Sequence, residues 1–149
     1  TDITASIGNS QFKRLNKFIK IRKANSAKIK NALAKSKKWN NQFSFQKINT
    51  NVTSSLFGFS IFINKKFLKK KKKFFKLLDK EGVETRPIIS GNFLNQPAIK
   101  LFKLNKKNQK FPEAQKVENL SFFIGLHSKN IRKKTLNRLV NTLLKIETI

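Results

Sequence analysis

SLFGFSIFI, residues 55–63, followed by NKKFLKKKKKFFKLLDKEG, residues 64–82, decides the fold of this chain. The first piece is a short apolar and aromatic run bounded by Asn51 and Asn64, which fits a mostly buried strand. The second places Phe67, Leu68, Phe74, Phe75, Leu77 and Leu78 on one broad face and fills the rest with lysines 69–73, the pattern of an amphipathic helix. Gly82 stops that helix, because glycine takes the left-handed C-terminal position without steric cost. Residues 83–89 predict a second strand, which Pro87 puts at a sheet edge or a strand end because it has no N–H to donate. Strand, helix, strand is the seed of a layered α/β domain.

Downstream, SGNF at 90–93 reads as a turn, residues 96–102 as a short helical piece and residues 103–110 as a Lys and Asn loop. Pro112 suits the first turn of a short helix through Val117. Residues 120–125 make a third strand, and Ser128 can cap a last helix whose Ile131, Leu136, Leu139, Val140, Leu143 and Leu144 give it a clear apolar face. Upstream, the polar residues 39–53, with the only tryptophan, Trp39, read as a connection. Residues 1–38 read as one long helix, capped by Thr1 or Asp2, with Ile3, Ile7, Phe12, Leu15, Phe18, Ile19, Arg22, Ile29 and Leu33 near one side. Its apolar first turn predicts a partner upstream and hence a polypeptide truncated at Thr1. Gly8 costs about 1 kcal/mol relative to Ala in a helix interior and is read as a close-contact point. The expected fold is α/β, an α+β small domain: a long N-terminal helix, then a three-stranded sheet with helices packed on it. Residues 1–50 form the bridging helix and connection, and residues 51–149 the small domain.

Composition narrows the chemistry. The 149 residues include 34 Lys and Arg against 7 Asp and Glu, a net charge of +27. Only five of the cations are Arg (Arg14, Arg22, Arg86, Arg132 and Arg138). Nucleic-acid readers lean on arginine, whose planar fork grips phosphates and guanine edges at two points, so the charge reads mainly as background with no specific nucleic acid implied. There is no cysteine, which excludes disulfides, thiolate metal sites and thiol nucleophiles; with a single histidine, metal catalysis is not expected either. No apolar run reaches the roughly 20 residues of a membrane-spanning helix, and residues 1–20 lack signal-peptide features, so a cytoplasmic protein is expected.

Few constellations carry chemistry. Lysines 69–73 read either as a binder of phosphate-rich polymers or anionic membrane, or as a solvated helix face. His127, after an apolar strand and before Ser128, reads either as a cleft residue or as a surface histidine. No acid pair and no Gly-rich phosphate loop occurs. In residues 84–93, Arg86 near a strand end is followed by a turn with Gly91, Asn92 and Phe93. Arg for charge, Asn for hydroxyls and Phe for stacking could clamp an anionic or hydroxylated ligand, and a purely structural Arg86 fits equally well.

Three motifs in order, TDITASIG at 1–8, FGFSIFI at 57–63 leading into GVETRPIISGNFLNQP at 82–97, and FPEAQKVENLSFFIGLHS at 111–128, resemble the C-terminal part of the DegT-type family of pyridoxal-phosphate-dependent sugar aminotransferases and deoxysugar dehydratases. The resemblance spans nearly the whole chain, and the 82–97 motif most resembles the branch with sugar 3-dehydratases acting on nucleotide-linked 4-keto-6-deoxyhexoses, alongside lipopolysaccharide-type aminotransferases. It implies a fold-type-I enzyme of surface-polysaccharide biosynthesis, working as a homodimer, in which a large upstream domain binds pyridoxal 5'-phosphate. The cofactor-binding and catalytic residues, including the Lys or His that separates aminotransfer from dehydration, would all lie in that domain. This chain would then be catalytically silent alone, and by motif match Arg86, Asn92 and Phe93, with His127 beside them as a further candidate, would contact the nucleotide-linked keto-deoxysugar. Two other readings stand beside it: a stand-alone basic module binding nucleic acid or anionic surfaces, and a non-functional remnant.

Overall fold

The computed structural model describes residues 1–52, 54–104 and 109–149, so the middle half of the expected 103–110 loop lies outside the described residues. Six α-helices run through them: α1 Asp2–Phe12, α2 Leu15–Ala34, α3 Lys71–Lys80, α4 Pro97–Leu101, α5 Pro112–Leu120 and α6 Lys133–Leu144. Four strands, β1 Phe43–Phe45, β2 Gly58–Ile63, β3 Thr85–Arg86 and β4 Ser121–Gly125, form one antiparallel sheet in the order β1-β2-β4-β3. Because β2 and β3 both pair antiparallel with β4, they run parallel to each other, and α3 joins them across β4 as a split βαβ unit.

The register sorts side chains by face, since alternate residues of a strand point to opposite sides. Rows Phe43–Ile63, Phe45–Ile61–Phe122 and Phe59–Ile124–Thr85 face one way. Against them pack Ile29 and Leu33 of α2, Phe74 and Leu78 of α3, and Val140, Leu143 and Leu144 of α6, all buried. Phe122 meets Phe74 and Phe75 edge-on, centroids 6.2 and 5.1 Å away, a favoured aromatic geometry. The other face carries Ser44–Phe62–Ser121 and Ser60–Phe123–Arg86, partly covered by α5. There Gly58 leaves the space that the Phe123 ring fills: a Cβ on Gly58 would stand 2.5 Å from Phe123 Cδ2.

Several expectations are corrected. The long helix is two: a tightened turn, in which the Arg14 N–H reaches the Gln11 carbonyl at 3.0 Å, separates α1 from α2, and α2 ends at Ala34. Thr1 occupies the N-cap of α1 without a side-chain cap bond. Gly8 makes no close contact among the described residues: nothing lies within 4 Å of where its Cβ would be, and α1 buries no residue. The sheet has four strands rather than three, since FSF at 43–45 in the expected connection pairs with β2. Strand β3 is only Thr85–Arg86, ended by Pro87. Residues 65–70 form a 3-10 turn before α3, capped by the Asn64 side chain, which accepts from the Lys66 N–H at 3.1 Å. Finally, α6 starts at Lys133 with Arg132 as N-cap, so Ser128 does not cap it.

Candidate functional site

Antiparallel pairing sets Arg86 directly opposite Phe123 on the sheet face away from the core. The guanidinium, 60% exposed, is steadied by Glu84, whose carboxylate accepts from Arg86 Nε and Nη2 at 2.8 Å. Across β4 the same row reaches Ser60, and the Phe57 ring lies 5.4 Å from Phe123, so a cation, two aromatic rings and a hydroxyl share one surface.

After Pro87 the chain turns sharply, with Ser90 at φ 65° and Gly91 at φ 49°. Gly91 is needed twice over, since a Cβ there would meet Glu118 Cγ at 2.9 Å in a backbone region L residues rarely adopt. The close approach lets the Asn92 N–H donate to Glu118 Oε2 at 2.8 Å and Asn92 Nδ2 donate to Gln115 Oε1 at 2.9 Å. Asn92 Oδ1 in turn accepts from the Leu94 N–H at 3.2 Å, and Asn95 Nδ2 reaches Gln115 and Glu118 at 3.0 and 2.9 Å. Asn92 is therefore buried and holds the turn against α5, while Phe93 points outward, 58% exposed. Underneath, Lys71 Nζ donates to the Asn119 carbonyl at 2.6 Å at the end of α5, where a cation complements the helix dipole. Burial lowers that lysine below its ordinary pKa, opposed by the Glu118 carboxylate.

His127 sits away from the Asn92 turn. It follows the C-terminal end of β4, whereas α5, which holds the Asn92 turn, leads into the N-terminal end of the same strand. The loop 127–131 is clamped by one buried residue of α2: Asn25 Nδ2 donates to the carbonyls of His127 and Lys129 at 3.2 and 2.8 Å, and Asn25 Oδ1 accepts from the Ile131 N–H at 3.0 Å. His127 Nδ1 accepts from the Lys129 N–H at 3.0 Å, and the residue lines a groove of about 630 Å³. Val83, Ile124, Leu126 and Leu139 line that groove, with Glu81 and Arg138 in its wall. The pair is closed there: Arg138 and Lys145 lie 3.5 and 3.1 Å from Glu81, and the bond from Lys145 together with both charges holds its carboxyl below the usual range. Of the four residues singled out from sequence, Asn92 is committed to α5 with Phe93 next to it in the same turn, while Arg86 sits opposite Phe123 with its partner Glu84 lining the groove that His127 also lines. Asn25, Gln115 and Glu118 escaped sequence reading; only the polar Asn25, one turn before Ile29 on the apolar side of its helix, left a trace.

Among the described residues no cluster of His, Asp and Glu could hold a metal ion. Nor do they suit a pyridine cofactor: Asp2 and Asp79 lie exposed on α1 and α3, Glu81 is committed to Arg138 and Lys145, and the partly buried Lys71 spends its ammonium on carbonyls.

Residues 1–144 match the DegT/DnrJ/EryC1/StrS aminotransferase family. The GDP-4-keto-6-deoxy-D-mannose 3-dehydratase of Escherichia coli O55:H7 is 31% identical over 127 residues, 85% of this chain and 31% of that protein. The solved structure of an E. coli GDP-4-keto-6-deoxy-D-mannose-3-dehydratase with bound hydrated PLP superposes with a TM-score of 0.71 at 26% identity, over 92% of this chain and 33% of that one. The apo form of the Spr1654 protein of Streptococcus pneumoniae shares the fold, TM-score 0.80 at 19% identity, over 99% of this chain and 35% of that one. The chain spans about a third of the length of the relatives it matches.

Proposed function

The chain belongs to the DegT/DnrJ/EryC1/StrS aminotransferase family, and on that premise we propose that it is the small-domain portion of a pyridoxal-phosphate-dependent enzyme acting on a nucleotide-linked 4-keto-6-deoxysugar. Likeness to a GDP-4-keto-6-deoxy-D-mannose 3-dehydratase over 85% of the chain is the observation that carries this reading. Sugar 3-dehydration is the first expectation and sugar aminotransfer the second, in surface-polysaccharide biosynthesis, with the complete enzyme a cytoplasmic homodimer. The cofactor supplies an electron sink for a carbanion, and the residues holding it belong to the portion of the enzyme this chain does not span.

This chain's part is binding and orientation. Arg86, steadied by Glu84 but still open to solvent, offers two-point contacts to a diphosphate or a sugar oxygen. Phe93 offers a ring face, and Asn92 fixes the turn that presents it. His127 enters through Nε2 alone, since Nδ1 is occupied.

Two experiments test the reading. The chain mixed with pyridoxal phosphate forms no stoichiometric internal aldimine band; a stoichiometric one overturns the proposal. In the complete enzyme Arg86→Ala raises KM for the nucleotide sugar about tenfold to a hundredfold, the loss of one charged hydrogen-bonding group, and an unchanged KM removes Arg86 from the site.

A further inference from the structure

The run of lysines 69–73 does not behave as a unit. Lys70 Nζ donates to the Glu147 carbonyl at 2.7 Å and Lys71 Nζ to the Asn119 carbonyl at 2.6 Å, so these two turn inward and tie elements together. Lys72, Lys73, Lys76 and Lys80 of α3 turn outward at three- and four-residue spacings that share one exposed helical stripe, and Lys69, in the 3-10 turn that leads into α3, is exposed ahead of them. Among the described residues none of the five has an ion-pair partner. Five of the chain's seven carboxylates are engaged elsewhere, Glu81, Glu84 and Glu113 with cations and Glu118 and Glu147 with amides, and the two remaining are Asp2 on α1 and Asp79 at the edge of the stripe.

This arrangement works against the helix that carries it. Lys72 and Lys76, and Lys76 and Lys80, are like charges four residues apart on α3, which repel. Lys72 and Lys73 lie in the first turn of α3, where the helix dipole disfavours cations and no acid compensates. Among the described residues only Asp79, at the edge of the stripe, sets an opposite charge beside it, whereas an external row of anions would offset the cost along its length.

We propose that the stripe formed by Lys72, Lys73, Lys76 and Lys80 of α3 with Lys69 just ahead of it binds the phosphate backbone of duplex nucleic acid without reading sequence, an activity independent of the sugar chemistry. Lysine suits point contacts to phosphate, and no arginine lies on this face to grip base edges. A membrane surface fits less well. An interfacial helix sinks its apolar face into lipid, but Phe74 and Leu78 of α3 are fully buried in the core and only Leu68 stands exposed beside the stripe.

The test titrates the full chain against a fluorescent mixed-sequence DNA duplex over a range of salt, alongside phosphatidylserine vesicles. A variant with all five stripe lysines changed to Gln is compared with one in which Lys13, Lys17, Lys20, Lys28 and Lys35 of the α1–α2 region are changed to Gln, an equal loss of charge. The stripe variant should bind duplex at least about tenfold more weakly and lose about 4.5 from the log–log salt slope, 0.9 for each phosphate contact. The control should change little, and Lys→Arg at the five stripe positions should keep binding, which separates lost contacts from lost folding. Equal losses in both Gln variants, absence of duplex binding, or stripe-dependent binding to vesicles but not to duplex would each overturn the proposal.

Discussion

Helices α1 and α6 both carry apolar residues at helical spacing, yet they end in opposite situations. Val140, Leu143 and Leu144 of α6 are buried against α2, α3 and the sheet, while Ile3, Ile7 and Phe12 of α1 stay in solvent, Ile3 at 76% exposed. The same periodicity therefore yields a core element in one place and an unsatisfied surface in the other, and what separates them is whether this chain supplies the opposing face. Under the proposed function, a part matching what the relatives carry beyond this chain would cover α1, so stability and docking should map onto different helices.

Truncation at the two helices breaks or upholds that contrast most directly. Leu143→Ala should cost about 2–5 kcal/mol, the range for emptying a closed core site, whereas Ile7→Ala should stay within about 0.5 kcal/mol; urea denaturation of both decides, and a comparable loss at Ile7 would show that α1 is packed after all. Next in size, Asn25→Ala should cost about 2 kcal/mol, because it strips partners from three backbone groups of the 127–131 loop at once. The loss should appear as faster hydrogen exchange at Ile131 with β2 protection kept. Gly58→Ala should cost about 1–2 kcal/mol by overpacking against Phe123, and most of that cost should vanish in a Phe123→Ala background, a coupling read by a double-mutant cycle.

The smallest effect is electrostatic. Bonds from Asn40 and Gln42 hold the Glu147 carboxyl below the usual range, as Lys145 and Arg138 do for Glu81. Both groups take up a proton more readily unfolded than folded, so their contribution is complete above about pH 4.5 and fades as pH falls through the folded values. Glu147→Gln should flatten the loss of stability between about pH 5 and pH 3, measured as denaturation midpoints; an unchanged slope would place the acid sensitivity elsewhere.

The elements that could be read from sequence are those whose pattern is local. Residues 55–63 announced β2, the apolar face and Gly82 announced α3 and its stop at φ 71°, and α6 declared itself through its leucines. Strand β1 was hidden because three residues, FSF, gain their identity only by pairing with Ile61, Phe62 and Ile63. The start of α6 was misplaced because Asn25, more than a hundred residues upstream, draws 127–131 into a loop that passes Ser128 by. At the candidate site, the motif points to Arg86 and Phe93, and both side chains are exposed. The inward role of Asn92 depends on Gln115 and Glu118, distant in sequence, and no local pattern reports it.

The joint between β1 and the last turn bears on the timing of folding. Gln42, fully buried, accepts from the Asn40 N–H at 2.9 Å and donates to Lys38 O at 2.7 Å and to Glu147 Oε2 at 2.9 Å, a partner 105 residues away. Contacts of such separation form only after the intervening chain has been gathered, since loop closure must be met before they reward it. The edge strand β1 should thus order late, on a sheet whose centre, β2 and β4, is already paired. Replacing Gln42 should accelerate unfolding while leaving the refolding rate nearly unchanged, the kinetic mark of a contact absent from the folding transition state.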